Sequence, residues 1–270
     1  MTPWSGRRWG LINPQLLRLA AHLQRLQRCT IHERLDRLLQ EASPQELTSA
    51  DCLDRLRAEE VAAKQEKHVT MRTAMARFPY RKTCESFDLS VQPSIDRKTI
   101  HARATGRFSD HGDNVVLLGP PGTGKTQLAV AMGLKAIHQG YRTLLTAAMR
   151  LIATLTKASA ENRLEERLKQ SARPKLLLID EIGYIPIDQH GAHLFFQLLS
   201  RRYARGAMIL TAHHSFGPWG AVFGHPIIAT AIWDRWLHHR VVLNIKGDSY
   251  RLRETQKAGL LRNPEPPSAS

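Results

Sequence analysis

The sequence predicts an α/β protein, a doubly wound five-stranded parallel sheet preceded by a small all-helical N-terminal domain. Three observations predict it. From Asn114 onward, apolar runs of four to six residues alternate with helical stretches, the signature of strand–helix–strand units. A glycine-rich loop from Gly119 to Thr126 separates the first run from the first of those helices. Ahead of position 80 the apolar residues instead recur at three- and four-residue intervals, the period of a helical face.

Residues 1–12 carry Trp4, Arg7, Arg8 and Trp9 without periodicity and are expected to be a loose head. Residues 13–80 read as the helical domain. Leu16, Leu19, Ala20, Leu23 and Leu26 mark a first amphipathic helix. Ile31, Leu35, Leu38 and Leu39 mark a second, which stops near Ser43 and Pro44 because proline cannot continue a helix interior. A third starts at Thr48 or Ser49, both suitable caps, and runs through Leu53, Leu56 and Val61 to Met75, ahead of Pro79. Residues 81–113 form a join with one short basic helix between Ile95 and Arg107. Residues 114–258 form the α/β domain, with strands expected at Val115–Leu118, Thr143–Thr146, Leu176–Ile179, Ala207–Thr211 and Val241–Ile245. Residues 259–270 are rich in proline and serine and are expected to be disordered.

Composition narrows the classes. With 42% hydrophobic and 23% charged residues among 270, the chain is neither collagenous nor wholly disordered. No stretch reaches the roughly 18 apolar residues of a spanning helix, and the head has no secretory core, so a cytoplasmic protein is expected. Three cysteines, Cys29, Cys52 and Cys84, are odd in number and show no Cys-x-x-Cys spacing, which suits neither a disulfide framework nor a zinc finger. His190 with His193, three apart, and the adjacent pairs at 213–214 and 238–239 have no cysteine close in sequence, whereas structural zinc wants four convergent ligands, usually including cysteine, so no metal site is expected there. The formal net charge of +15 favours a polyanionic partner, and arginine, the planar phosphate binder, outnumbers lysine by 28 to 11.

The loop residues Gly119, Pro120, Pro121, Gly122, Thr123, Gly124, Lys125 and Thr126 match the phosphate-loop pattern G-x-x-x-x-G-K-[ST]. Glycines let the backbone wrap its amide hydrogens around an oxyanion, and the adjoining helix adds its positive end. Lys125 would reach the outer phosphates of a nucleotide, and Thr126 would ligate Mg2+. These features predict a P-loop NTPase. Further on, the apolar run Leu176–Ile179 ends in Asp180 and Glu181. Asp180 is placed to complete the Mg2+ shell and Glu181 to orient or deprotonate an attacking water.

Residues from about Phe78 to Leu261 resemble the IstB-like ATP-binding proteins, helper ATPases of insertion-sequence transposition related to the DnaC helicase loaders within the AAA+ class. The resemblance rests on the phosphate loop, on Asp180-Glu181-Ile182-Gly183-Tyr184 with Pro186, and on Phe195-Phe196 and Arg201-Arg202-Tyr203. It continues through Trp219, Phe223-Gly224, Asp234-Arg235, His238-His239 and Gly247-Asp248-Ser249-Tyr250-Arg251. It implies ATP and Mg2+ as cofactors, Arg235 as an arginine finger serving a neighbouring subunit, and Arg251 as the second sensor arginine. With little chain after the fifth strand for a helical lid, closure over the nucleotide is expected from the next subunit of a homo-oligomeric ring or spiral. The implied function is ATP-dependent binding to double-stranded DNA, mostly through backbone contacts, with recruitment or activation of a cognate transposase; the alternative is a DnaC-like helicase loader in replication.

One departure stands out. Where the family usually has Thr-Ser-Asn after the fourth strand, this chain has Thr211-Ala212-His213, so the first-sensor asparagine is replaced by His213, whose imidazole has a different reach and a pH response. Slower or pH-dependent hydrolysis is the expectation. Arg201, Arg202 and Arg205 around Tyr203 carry two readings, a track for nucleic-acid phosphates or ordinary arginines at the end of a helix. A small-molecule kinase is disfavoured because it needs an acceptor pocket and a lid, and a non-hydrolysing scaffold has only His213 in its favour.

Overall fold

The computed structural model describes residues 14–26, 31, 48–80, 114–203, 205–213, 219–224, 226–237, 240–246 and 249. The expected second helix, apart from Ile31, and the short helix at 95–107 lie outside them. The chain divides into two units, Met1–Thr70 and Met71–Ser270.

The first unit holds α1, Pro14–Arg25, and most of α2, Ser49–Met75, whose last five residues belong to the second unit. The start of α2 is fixed reciprocally: the Asp51 amide donates to Thr48 Oγ1 at 3.2 Å, while the Thr48 amide and hydroxyl donate to Asp51 Oδ2 at 3.2 and 2.6 Å. Two otherwise unpaired amide donors are thereby satisfied, as in a capping box. Glu60 is buried on α2, accepts the Ile31 amide at 3.2 Å and pairs with Lys64 at 3.4 Å.

The second unit holds a five-stranded, all-parallel sheet. Its strands are β1 (Asn114–Leu118), β2 (Thr143–Ala147), β3 (Leu176–Ile182), β4 (Ala207–Ala212) and β5 (Arg240–Asn244), in the order β2-β3-β4-β1-β5. The five apolar runs expected from the sequence are these five strands, and β3 continues three residues past the expected Ile179. Between them lie α3 (Lys125–His138), α4 (Ala148–Ala160), α5 (Leu164–Ala172), α6 (Gln189–Arg202), α7 (Trp219–Val222) and α8 (Pro226–Leu237).

Period-two alternation sorts the strand residues onto two faces. Val115, Leu117, Leu176, Leu178, Ala207 and Ile209 pack with Leu128, Ala129 and Met132 of α3. Val116, Leu118, Leu177, Ile179, Met208 and Leu210 pack on the other face, with Leu151 and Leu155 of α4, Phe195 and Leu198 of α6, and Trp219 and Phe223. Both faces are apolar because helices cover both, as parallel sheets require. The strand order sets β4 between β1, which leads into the glycine-rich loop, and β3, which carries the acid pair.

Candidate phosphate-binding site

The loop between β1 and α3 turns back over the carboxyl end of the sheet. Gly122 has φ +81, which a side chain would strain, and a Cβ there would lie 2.0 Å from Ser249 Oγ. Gly119 is equally constrained, since its Cβ would meet the Ile245 carbonyl oxygen at 2.3 Å. The glycines at 119 and 122 are therefore demanded by the packing of the loop against the chain beyond β5. Thr123 is buried and donates to the Pro120 carbonyl at 2.9 Å, which ties the loop across its middle. Gly124 then caps α3, with no side-chain acceptor on the first amides of that helix, so they remain directed at the loop's concavity.

Lys125 is buried, and its Nζ donates to the carbonyls of Gly119 and Pro120, each at 2.7 Å. Burial pulls its pKa down from 10.5 to about 8, against the opposing pull of the Asp180 and Glu181 carboxylates. At neutral pH the ammonium is charged and held over the loop.

Asp180 and Thr126 come together although they are 54 residues apart. The Thr126 hydroxyl donates to Asp180 Oδ1 at 2.9 Å and Oδ2 at 3.1 Å. The pairing of β3 with β4 is irregular here: Ile179 faces Leu210 and Ile182 faces Ala212, so Asp180 and Glu181 together oppose the single residue Thr211. This is a β-bulge, and Glu181 within it has φ +59, a region a glutamate rarely adopts. Thr211 holds both halves of the bulge, donating its hydroxyl to Asp180 Oδ1 and accepting the Glu181 amide at 2.9 Å. The bulge turns the two successive acids differently, leaving Asp180 half-buried beside Thr126 and Glu181 exposed.

A hydroxyl and a carboxylate meeting from two elements are hard oxygen donors of the kind Mg2+ takes. That ion is usually held by one or two such groups, with substrate phosphates and water completing its octahedron. The residues present therefore fit magnesium and a triphosphate: amides and an ammonium for the phosphates, Thr126 and Asp180 for the metal, and Glu181 free to reach water.

The other expected positions divide. His213 directly follows β4, half-buried, with its ring edge-on to Tyr184 at a centroid distance of 5.8 Å. Arg235 lies on α8, but its side chain is outside the described set, and Arg251 lies wholly outside it. The arginine cluster at the end of α6 resolves against the phosphate-track reading for two members. Arg202 is only 1% exposed and donates to four carbonyls, those of Ala172, Pro174, Lys175 and Ala207, at 2.7 to 3.3 Å. Arg201 forms a two-pronged pair with Glu165. Arg202 thus fastens the turns entering β3 and β4, and periodicity could not reveal it, because both arginines of a pair at a helix end look alike. Thr211 is the site residue that sequence reasoning passed over. Its signal was a lone hydroxyl at the end of an otherwise apolar strand.

Residues 21–258 match the profile of the family described as IstB-like ATP binding protein. An IS21 insertion-sequence ATP-binding protein of Pseudomonas aeruginosa is 46% identical over 239 residues, covering 88% of this chain and 90% of its own. An IS5376 ATP-binding protein of Geobacillus stearothermophilus is 40% identical over 237 residues, covering 88% and 94%. Among solved structures, the DnaC helicase loader is 20% identical with a TM-score of 0.50, over 65% of this chain and 99% of that one. AMPPCP-bound DnaA from Aquifex aeolicus is 17% identical with a TM-score of 0.55, over 71% and 58%. At these identities the likeness is one of fold alone.

Proposed function

The chain belongs to the IstB-like ATP-binding protein family, and from that premise we propose that it is an ATP-hydrolysing helper of insertion-sequence transposition that assembles on double-stranded DNA and recruits or activates a transposase. The observation that carries the ATPase part is the meeting of the Thr126 hydroxyl and the Asp180 carboxylate at 2.9 Å beneath the phosphate loop. In this reading the amides of residues 122–126 and the Lys125 ammonium bind the β- and γ-phosphates, while Thr126 and Asp180 hold Mg2+. The metal supplies charge neutralisation on the phosphate oxygens. Glu181 orients the attacking water, and the Thr211 hydroxyl keeps Glu181 and Asp180 in their separate orientations. Arg235 of one subunit compensates charge in its neighbour's site, and Arg251 senses the bound nucleotide from within its own.

The DNA and transposase part is supported by the names of the insertion-sequence relatives and by the +15 charge. A helicase loader shares the fold, and the likeness to DnaC goes no further than the fold.

The test is phosphate release with and without duplex DNA. Wild type is expected to turn over ATP faster with DNA, Lys125→Ala and Glu181→Gln to lose about a hundredfold or more in rate, and a mixture of Lys125→Ala with Arg235→Ala to recover part of the activity. Wild-type-like turnover by Glu181→Gln would contradict the hydrolytic role, and no recovery in the mixture would contradict a finger acting between subunits.

A further inference from the structure

We propose that the amino-terminal edge of the sheet, at the opposite end of the strands from the phosphate loop, is the surface that docks the phosphate backbone of duplex DNA. The inference deepens the reading above and rests on it for the choice of partner.

The register aligns the edge. Thr143 pairs with Leu176, and Leu176 with Ala207, so the residues that precede these strands stand side by side. The Leu176 amide donates to the Arg142 carbonyl at 3.1 Å and the Ala207 amide to the Lys175 carbonyl at 2.9 Å, which continues the ladder into the connections. Each connection delivers cations there: Arg142 before β2, Arg173 and Lys175 before β3, Arg205 before β4. Neighbouring strands are about 4.8 Å apart, so this row spans roughly 10 Å, about three base-pair rises along the DNA axis.

Half-buried Lys175 donates to the Arg205 carbonyl at 3.5 Å, but the three arginines are not spent internally. Arg142, Arg173 and Arg205 are exposed, and none has a carboxylate partner among the described residues. The described residues of the three connections include no Asp or Glu; Asp113, before β1, lies outside the described residues. The carboxylates at the nearby corner of α4 and α5 are engaged: Glu161 with Arg163 and Lys157, Glu165 with Arg201 and Lys169, while Glu166 accepts from Gln170 at 2.8 Å. Beneath the row lies Arg202, a buried cation answered by carbonyls alone, whose charge is screened less than one in water. Arg72 adds another by donating to the carbonyl of Gly140, in the connection before β2. An edge with such a surplus, presented by exposed arginines, suits sequence-tolerant phosphate contact.

The strands separate this edge from the phosphate loop by about 15–20 Å, so the two sites can be altered independently. The test is the salt dependence of binding to a duplex oligonucleotide for wild type, for the triple variant Arg142→Gln/Arg173→Gln/Arg205→Gln, and for a control of equal charge loss, Arg150→Gln/Lys157→Gln/Lys169→Gln. The edge variant is expected to bind more weakly, with the slope of log K against log salt reduced in magnitude by about 2 to 3. The control should shift the slope by less than about 1, and both variants should keep wild-type nucleotide affinity. Equal slopes for wild type and the edge variant, or equal losses in the edge variant and the control, would overturn the assignment of the edge while leaving the DNA-binding reading intact. Failure of wild type itself to bind duplex DNA would overturn both.

Discussion

At the scale of single residues, Lys125 has a consequence in pH. Its phosphate contact needs the ammonium, and its pKa of about 8 lies below the ordinary 10.5 because the side chain is buried. Below about pH 7 the group is charged and affinity should be flat on this account. Above it, nucleotide binding must take up a proton, so the affinity of wild type for ATP is expected to fall about tenfold between pH 8 and 9.5, whereas Lys125→Ala should show no such decline. Titration of both proteins across that range with a fluorescent nucleotide checks this, and a flat wild-type profile would contradict it. The sign for folding is opposite: the unfolded chain keeps a proton that the folded chain releases, so this residue makes stability rise as pH climbs from 8 toward 10.5. The motif made Lys125 legible in the sequence, because residue type and spacing encode it. Its depressed pKa was not legible, since burial beneath the loop belongs to the folded chain, and neither was the inward turn of Arg202.

The bulge in β3 governs the scale of elements. Two acids in succession on a regular strand would point to opposite faces, and one would enter a helix-covered core. The bulge against Thr211 avoids this, and the positive φ of Glu181 persists because the Thr211 hydroxyl holds its amide. Thr211→Val keeps the shape and removes the hydroxyl, so ATP turnover is expected to drop about tenfold to a hundredfold while nucleotide affinity moves little. Thr211→Ser should restore most of the rate. Steady-state kinetics on both variants decides it, and full activity in the valine variant would refute the role. Five strands were readable from apolar runs, because a parallel sheet covered on both faces must be apolar throughout. The extension of β3 through Asp180 and Glu181 was not, because carboxylates end the apolar signal before the strand ends.

For the whole molecule, the strand order explains why two motifs widely separated in sequence meet. The glycine-rich loop leaves β1, the acids leave β3, and β4 between them contributes the hydroxyl that links the pair. Sequence spacing indicated that the two motifs cooperate, through what the phosphate-loop pattern requires, but could not indicate the intervening strand. The basic edge was hidden for a similar reason: Arg142, Arg173, Lys175 and Arg205 are scattered in sequence and become neighbours only through the register of three strands. The charge of +15 was visible, its gathering at one end was not.

The most direct test of the account is calorimetric titration of ATP into wild type and Asp180→Asn, each with Mg2+ and with a chelator. If Thr126 and Asp180 complete a magnesium site beneath the phosphate loop, wild type binds ATP more tightly with the metal than without it, and Asp180→Asn loses most of that difference. Absence of binding, or the same metal dependence in both proteins, would contradict the account.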